Sequence, residues 1–82
     1  MTDARPRKRS LTLKGHQTSV SLEDSFWTAF RDIARAHGEA VNAMAARIDA
    51  ERGTDCGLAS AIRVFVLAHY RDAAEDTDHD QG

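Results

Sequence analysis

The sequence predicts a mainly helical protein with one short β-strand near its N-terminus. Three segments with apolar residues at helical spacing follow one another between residues 24 and 71. Only the stretch directly before them clearly alternates apolar and polar residues, as a half-buried strand does. A lone strand cannot satisfy its backbone hydrogen bonds, so it needs a partner, and the nearest candidate is the same strand in a second copy of the chain.

The predicted strand covers about residues 17–22. Val20 and Leu22 share one face, and the other face holds Gln17, Ser19 and Ser21. Since the apolar pair must turn towards the helices, the three polar side chains are expected to point outward.

A second alternation lies just upstream, over residues 11–16. Leu11 and Leu13 alternate with polar residues before Gly15 interrupts the pattern. A hairpin is possible because glycine supplies the positive φ that tight turns need, and an extended arm with a kink is equally compatible. The sequence leaves both open.

Three helices are predicted, at about residues 24–37, 40–52 and 58–71. Gly38 and Gly53 follow the first two and are typical helix stops. The second helix begins without Ser, Thr or Asp at its cap, so its first-turn amides could bind a phosphate or simply face solvent. The third helix is apolar over more than half its circumference, which favours contact with a second protomer.

Length and charge bound the remaining possibilities. Eighty-two residues allow one domain, predicted over residues 10–71, and a core this small favours oligomerisation. The net charge of -2 conceals a basic segment, residues 1–9, predicted as a flexible arm, and an acidic one, residues 72–82, predicted as a disordered tail. No apolar run could span a membrane, and a single cysteine, Cys56, fits a cytoplasmic location.

An enzyme is not expected from the inventory of reactive side chains. The four histidines are scattered without metal-ligand spacing, and Cys56 has no second cysteine. No glycine-rich phosphate loop and no nucleophile with a base and an orienting group is recognisable. We therefore expect no catalytic residue, no metal and no cofactor.

The order of strand and helices resembles the ribbon-helix-helix family of DNA-binding proteins, in particular a bacterial subgroup with a third C-terminal helix. The similarity runs from about Lys8 to Arg71. It is carried by Lys8-Arg9-Ser10, Gly15 to Glu23, Phe26-Trp27, Gly38, Asn42-Ala43, Arg47-Ile48-Asp49, Arg52-Gly53 and Leu58 to Leu67.

The resemblance implies an intertwined homodimer whose antiparallel intermolecular β-ribbon enters the major groove of double-stranded DNA. Gln17, Ser19 and Ser21 would then contact bases. The residues expected to contact phosphates are Arg7, Lys8, Arg9, Lys14, Ala40, Val41 and Asn42. The residues expected in the dimer core are Val20, Leu22, Trp27, Phe30, Ile48, Ile62 and Phe65.

Two functions follow from this similarity. The first is a transcriptional regulator that binds specific DNA as a homodimer or a higher oligomer. The alternative is a protein-interaction module, antitoxin-like or an assembly subunit, that keeps the dimer fold without specific DNA binding and uses the third helix or the tails to hold a protein partner. This alternative stays open because residues 15–70 hold five Arg or Lys residues against seven acids and are not strongly basic.

Overall fold

The computed structural model describes the backbone of residues 4–53 and 56–81, and the side chains in these ranges up to residue 75. Its elements are a mainly helical set with two strands, in the order β1 (Pro6–Leu13), β2 (His16–Glu23), α1 (Asp24–Ala36), α2 (Val41–Glu51) and α3 (Leu58–Gln81). The mainly helical fold class and the presence of three helices are confirmed, while two strands form where one was predicted. The predicted intertwined dimer stays a prediction.

β1 and β2 form an antiparallel hairpin within one chain. The register runs from Pro6↔Glu23 at the open end to Leu13↔His16 beside the turn. Lys14 and Gly15 make that turn with φ values of 53° and 84°. Positive φ at both central residues is the signature of a type I′ turn, whose twist matches that of the strands. Of the two arrangements that the sequence leaves open, the hairpin is the one that forms.

The hairpin corrects two expectations from the sequence. A partner for β2 exists inside the chain, since β1 occupies one of its edges. Residues 6–9, predicted as part of a flexible arm, belong to β1, because the alternation that begins at Leu11 extends backwards through a strand paired with residues 20–23. Residues 1–3 of the predicted arm lie outside the described residues.

The core lies between the inner face of the hairpin and the three helices. Leu11, Leu13, Val20 and Leu22 point into it from the strands, and the largest fully buried side chains from the helices are Phe30, Ile33, Met44 and Ile62. Burial of these apolar side chains is the main stabilising contribution to a domain of this size. Of the residues expected in the dimer core, Val20, Leu22, Phe30, Ile48 and Ile62 are buried within the single chain, whereas Trp27 and Phe65 are half-buried. Their part in a dimer stays a prediction.

Glycine ends α1 as predicted, but not α2, which stops at Glu51 because its C-cap Arg52 is already extended, before Gly53 is reached. Gly38 has φ 67°, and its N–H donates to the Arg35 carbonyl at 3.0 Å, while the Glu39 N–H reaches back to the Ala34 carbonyl at 2.9 Å. Such left-handed caps satisfy the last carbonyls of a helix and redirect the chain. The short connection brings the start of α2 back beside the hairpin.

The third helix is longer than the sequence predicts. α3 continues to Gln81, well past the predicted end at Arg71, so residues 72–81, predicted as a disordered tail, are helical. Composition suggested disorder because the segment is acidic, but Ala73, Ala74 and Glu75 are good helix formers that extend the helix past Arg71, and neither glycine nor proline interrupts the chain before Gly82. Phe65 of α3 meets Phe30 edge-on with ring centroids 6.1 Å apart, which docks α3 on α1.

Candidate nucleic-acid interface

The hairpin presents a polar face to solvent. On β2, Gln17, Ser19 and Ser21 are exposed, while Val20 and Leu22 are 5% and 0% exposed. The period of two thus separates a packing row from an outward row, with the parity that the sequence predicts. The outward row holds hydroxyl and amide groups, which can donate to or accept from base edges.

β1 adds a second outward row beside the first. Its exposed members Lys8, Ser10 and Thr12 pair in register with Ser21, Ser19 and Gln17. Directly opposed residues of antiparallel strands have Cβ atoms about 4.5–5.5 Å apart. The six side chains therefore form one continuous polar surface, which we call the outer hairpin face, and it contains no acidic residue.

The basic residues of β1 divide between the two faces. Lys8 lies on the outer hairpin face, but Arg9 points inward, where its side chain is 18% exposed and its Nη2 donates to Asp24. The Arg9 guanidinium also lies 5.5 Å from the Trp27 ring centroid, a cation–π distance. Arg7 is more exposed, with its Nε 3.8 Å from the same Asp24 carboxylate. Arg9 is thus engaged inside the protein, and Lys8 and the exposed turn residue Lys14 face solvent.

Neighbouring helices contact both edges of the hairpin. Because Leu13 and His16 flank the two-residue turn as a hydrogen-bonded pair, the backbone groups of Thr12 and Ser21 point away from the opposite strand. Accordingly, the Thr12 N–H donates to Asn42 Oδ1 of α2 at 3.1 Å. On the β2 side, Arg63 Nη2 of α3 donates to the Ser21 carbonyl at 3.3 Å.

Arg63 also binds Glu23, the last residue of β2. Its Nε and Nη2 lie 3.0 and 3.1 Å from the two carboxylate oxygens, in a bidentate arrangement. These hydrogen bonds, followed by the bond from the backbone of Glu23 itself, hold the pKa of the Glu23 carboxyl below its usual range. The pair ties the end of the hairpin to α3.

The start of α2 lies beside the β1 edge and lacks a side-chain cap. Ala40 is the N-cap residue and makes no side-chain hydrogen bond, and the first turn contains no acidic residue. The nearby carboxylate of Glu39 is paired with Arg47 at 3.1 Å. The free amides at a helix start attract anions, and the Glu39–Arg47 pair reduces the competing negative charge.

The comparison with protein families identifies this arrangement. A model described as "Ribbon-helix-helix domain" matches residues 6–70. The chain belongs to the ribbon-helix-helix family. No curated protein and no solved structure matches the chain. Ribbon-helix-helix proteins are typically DNA-binding transcription regulators or antitoxins, and the family is generally non-enzymatic.

The predicted site residues of this ribbon-helix-helix domain fall into three groups. Gln17, Ser19, Ser21 and Lys8 lie together on the outer hairpin face, and Lys14 forms its turn. Ala40, Val41 and Asn42 lie at the start of α2, joined to the hairpin by the bond between Asn42 and Thr12. Arg9, and in part Arg7, are separated from both groups by their pairing with Asp24.

Sequence reasoning missed Ser10 and Thr12 as members of this surface. Their alternation with Leu11 and Leu13 was the available signal, but without a known register it could not show which residues of β2 they face. Arg63 was also missed, because its contact with β2 joins residues 42 positions apart.

Other features of the ribbon-helix-helix domain do not add to this surface. A cleft of about 340 Å³ lies below the turn, between the end of α2 and the start of α3. Its arginine, Arg52, already donates to Asp49 and to the Cys56 carbonyl. Within the described residues, no group of three His, Cys, Asp or Glu side chains could hold a metal ion, and no helix is long and apolar enough to cross a membrane.

Proposed function

We propose that this ribbon-helix-helix protein is a bacterial cytoplasmic transcriptional regulator that binds specific double-stranded DNA as a homodimer. The observation that carries the proposal is the division of β2 into a buried apolar row and an exposed polar row. The exposed row, Gln17, Ser19 and Ser21, contacts base edges in the major groove. Gln17 is the most discriminating of the three, since glutamine bonds bidentately to adenine, whereas serine accepts several bases.

Phosphate contacts supply most of the affinity in this proposal. Lys8 and Lys14 are exposed. At the start of α2, Ala40 holds the N-cap position without a side-chain hydrogen bond, so the amides of Val41 and Asn42 are available to a phosphate. Arg7 contributes less because it shares Asp24, and Arg9 contributes through the fold. Each neutralised phosphate releases counterions, so binding should weaken steeply with salt.

The second copy joins through β2. One edge of β2 pairs with β1, and the other edge carries the backbone groups of Gln17, Ser19 and Ser21. Arg63 contacts this outer edge, and Leu67 and Tyr70 lie one and two turns further along the same side of α3, 56% and 46% exposed. The outer edge of β2 and the exposed apolar side chains of α3 therefore lie side by side. A second copy would fit both, because its own β2 would form backbone hydrogen bonds with the strand edge and its apolar surface would cover the side chains.

The test is selection of bound fragments from random duplex DNA at two salt concentrations, followed by comparison with a variant in which Gln17, Ser19 and Ser21 are alanine. We expect an inverted repeat to be enriched by the wild type. The variant should lose sequence preference and keep its melting temperature, because all three positions are exposed.

Val20→Asp is the matched control on the same strand. It places an unpaired charge in the core and should prevent folding and dimerisation together. Loss of folding in the triple-alanine variant would show that the faces of β2 are assigned incorrectly.

A protein-interaction module, antitoxin-like or an assembly subunit, is the second candidate. It is favoured by the exposure of Val64, at 65%, beside Leu67 and Tyr70 on α3. An apolar surface of this kind can bind a protein partner as well as a second copy. Absence of any enriched DNA at low salt would shift the assignment to this function.

A further inference from the structure

The hairpin changes the width of the surface that would meet DNA. The family resemblance implies a ribbon with one strand from each copy, but here each copy carries β1 beside β2. Pairing of two copies through the outer edges of β2, the mode of the proposed function on which this inference rests, therefore builds a sheet in the order β1-β2-β2-β1. Its outward surface consists of two outer hairpin faces.

This sheet is too wide to enter the major groove as a whole. Strands lie about 4.7–4.9 Å apart, so the axes of the outermost strands are about 14 Å apart, before side chains are added. The major groove is about 12 Å wide and admits a two-stranded ribbon. Only the central β2 pair fits, and the two β1 strands lie over the sugar-phosphate walls of the groove.

We propose that the outward row of β1, Lys8, Ser10 and Thr12, is a phosphate-contacting flank on each side of the base-reading β2 strands. Lys8 supplies a cation, and the two hydroxyl groups donate hydrogen bonds to phosphate oxygens, a role in which lysine, serine and threonine recur. The row is exposed, and the cross-strand register sets it beside the reading residues. Thr12 is further positioned by the bond from its N–H to Asn42.

The two chemistries in this row make different contributions to salt dependence. Removal of the Lys8 charge abolishes one ionic phosphate contact per copy. The slope of log K against log salt concentration should then become shallower by about 2 for the dimer. Loss of a neutral hydroxyl group lowers affinity without changing that slope, because no counterion is released by a neutral donor.

The experiment measures binding of the full chain to its selected DNA sequence, and to every single-base variant of it, over a range of salt concentrations. Four proteins are compared: wild type, Lys8→Ala, the double variant Ser10→Ala with Thr12→Ala, and Gln17→Ala as the base-reading control. Lys8→Ala should weaken binding to all sequences by the same factor and give the shallower slope. The double variant should weaken binding at least about 30-fold on every sequence with the slope unchanged, since it removes four hydroxyl contacts from the dimer.

Gln17→Ala should behave differently, flattening the preference at one base position in each half-site. Equal melting temperatures of the four proteins would show that the fold is retained. If Lys8→Ala or the double variant altered the base preference, β1 would be reading bases and the proposed flank would be overturned. Unchanged affinity in both would also overturn it, whereas a wild type that selects no DNA would contradict the proposed function itself.

Discussion

Lys8 and Arg9 are adjacent in sequence but have opposite surroundings. Lys8 lies on the outer hairpin face, whereas Arg9 is paired with Asp24 and packed against Trp27. In the described structure, the buried Nε of Arg9 has no hydrogen-bond partner. The guanidinium thus depends on its ion pair and ring contact to compensate for lost hydration.

This contrast predicts that two neighbouring substitutions differ in their effect on the free energy of unfolding. Arg9→Ala should lower the free energy of unfolding by about 1–2 kcal/mol, because it removes a partly buried ion pair and a cation–π contact. Lys8→Ala should change it by less than about 0.5 kcal/mol, as expected for an exposed position. Urea denaturation at one fixed protein concentration measures both.

For the salt dependence of DNA binding the order is reversed, and Lys8→Ala should have the larger effect. Arg9→Ala should leave the salt slope of DNA binding unchanged in protein that remains folded. An Arg9→Ala slope that changed as much as that of Lys8→Ala would restore Arg9 as a phosphate contact.

Residue parity could be predicted from the sequence, but residue partners could not. The alternation within residues 17–22 is enough to assign the two faces of the strand, with Val20 and Leu22 on one and Gln17, Ser19 and Ser21 on the other. The role of Arg9 depends on Asp24, 15 positions away, and on a ring in α1. A count of basic residues assigns Arg9 to the solvent-facing arm, and the local signal that separates it from Lys8 is its shared parity with Leu11 and Leu13.

At the scale of elements, the hairpin turn contains a residue that does not suit it. Lys14 adopts φ 53°, a left-handed conformation that costs non-glycine residues about 1–2 kcal/mol, and asparagine tolerates it best. Lys14→Asn creates an Asn-Gly turn and should stabilise the protein by about 0.5–1 kcal/mol.

Lys14→Ala is the control, since it removes the same charge without suiting the turn. Both variants should reduce the salt dependence of DNA binding equally, and only Lys14→Asn should raise the melting temperature. Equal melting temperatures would argue against a type I′ turn at this position.

The link between β2 and α3 should make stability depend on pH. The pKa of Glu23 is lowered in the folded state, chiefly by its hydrogen bonds from Arg63. A lowered folded-state pKa stabilises the fold above the unfolded-state pKa, and this contribution is lost as pH falls through the folded-state value. Glu23→Gln should therefore melt at a lower temperature than wild type at neutral pH, and the gap should close as the pH falls through the lowered folded-state pKa of Glu23.

Glu51→Gln provides the same chemical change at an exposed residue of α2. Its melting temperature should follow that of the wild type across the whole pH range. A gap between Glu23→Gln and wild type that persisted at low pH would contradict an electrostatic origin.

Element boundaries were predictable where a specific residue sets them. Gly38 ends α1 through its left-handed cap, and the sequence shows this directly. The end of α3 has no such marker, because periodicity fades after Tyr70 and no glycine or proline follows until Gly82. The acidic composition therefore predicted disorder for residues 72–81, whose backbone is helical.

At the scale of the whole molecule, the exposed side of α3 and the outer edge of β2 form one candidate dimer surface. Replacement of Leu67 and Tyr70 together by glutamine should weaken dimerisation at least ~10-fold, because the apolar area that a second copy would cover becomes polar. Sedimentation at micromolar concentration measures the change. Ala68→Gln, on the neighbouring exposed face of α3, should leave the dimer intact.

A wild-type protein that sediments as a monomer would exclude this surface as a dimer interface. Full dimerisation of the double variant would place the interface elsewhere.

The distribution of charge differs between the hairpin and the rest of the chain. Between residues 15 and 70 the chain has five Arg or Lys residues and seven Asp or Glu residues, so this part of the chain is not attractive to DNA as a whole. Lys8 and Lys14, by contrast, belong to the hairpin, whose one acid, Glu23 at the end of β2, is paired with Arg63. The sequence shows the asymmetry of charge, but only the strand pairing shows that these two lysines share an element with Gln17.

The tight hairpin also constrains how such a protein can change over evolutionary time. A register pinned by a two-residue turn means that one residue inserted between Leu13 and the turn would send Leu11 and Leu13 towards solvent and turn the polar row inward. Substitutions on the outer face, or length changes in steps of two residues, avoid that exchange. Lineages that share this hairpin should therefore diversify by point substitution at outward positions, while single-residue insertions should be excluded from the parts of both strands beside the turn.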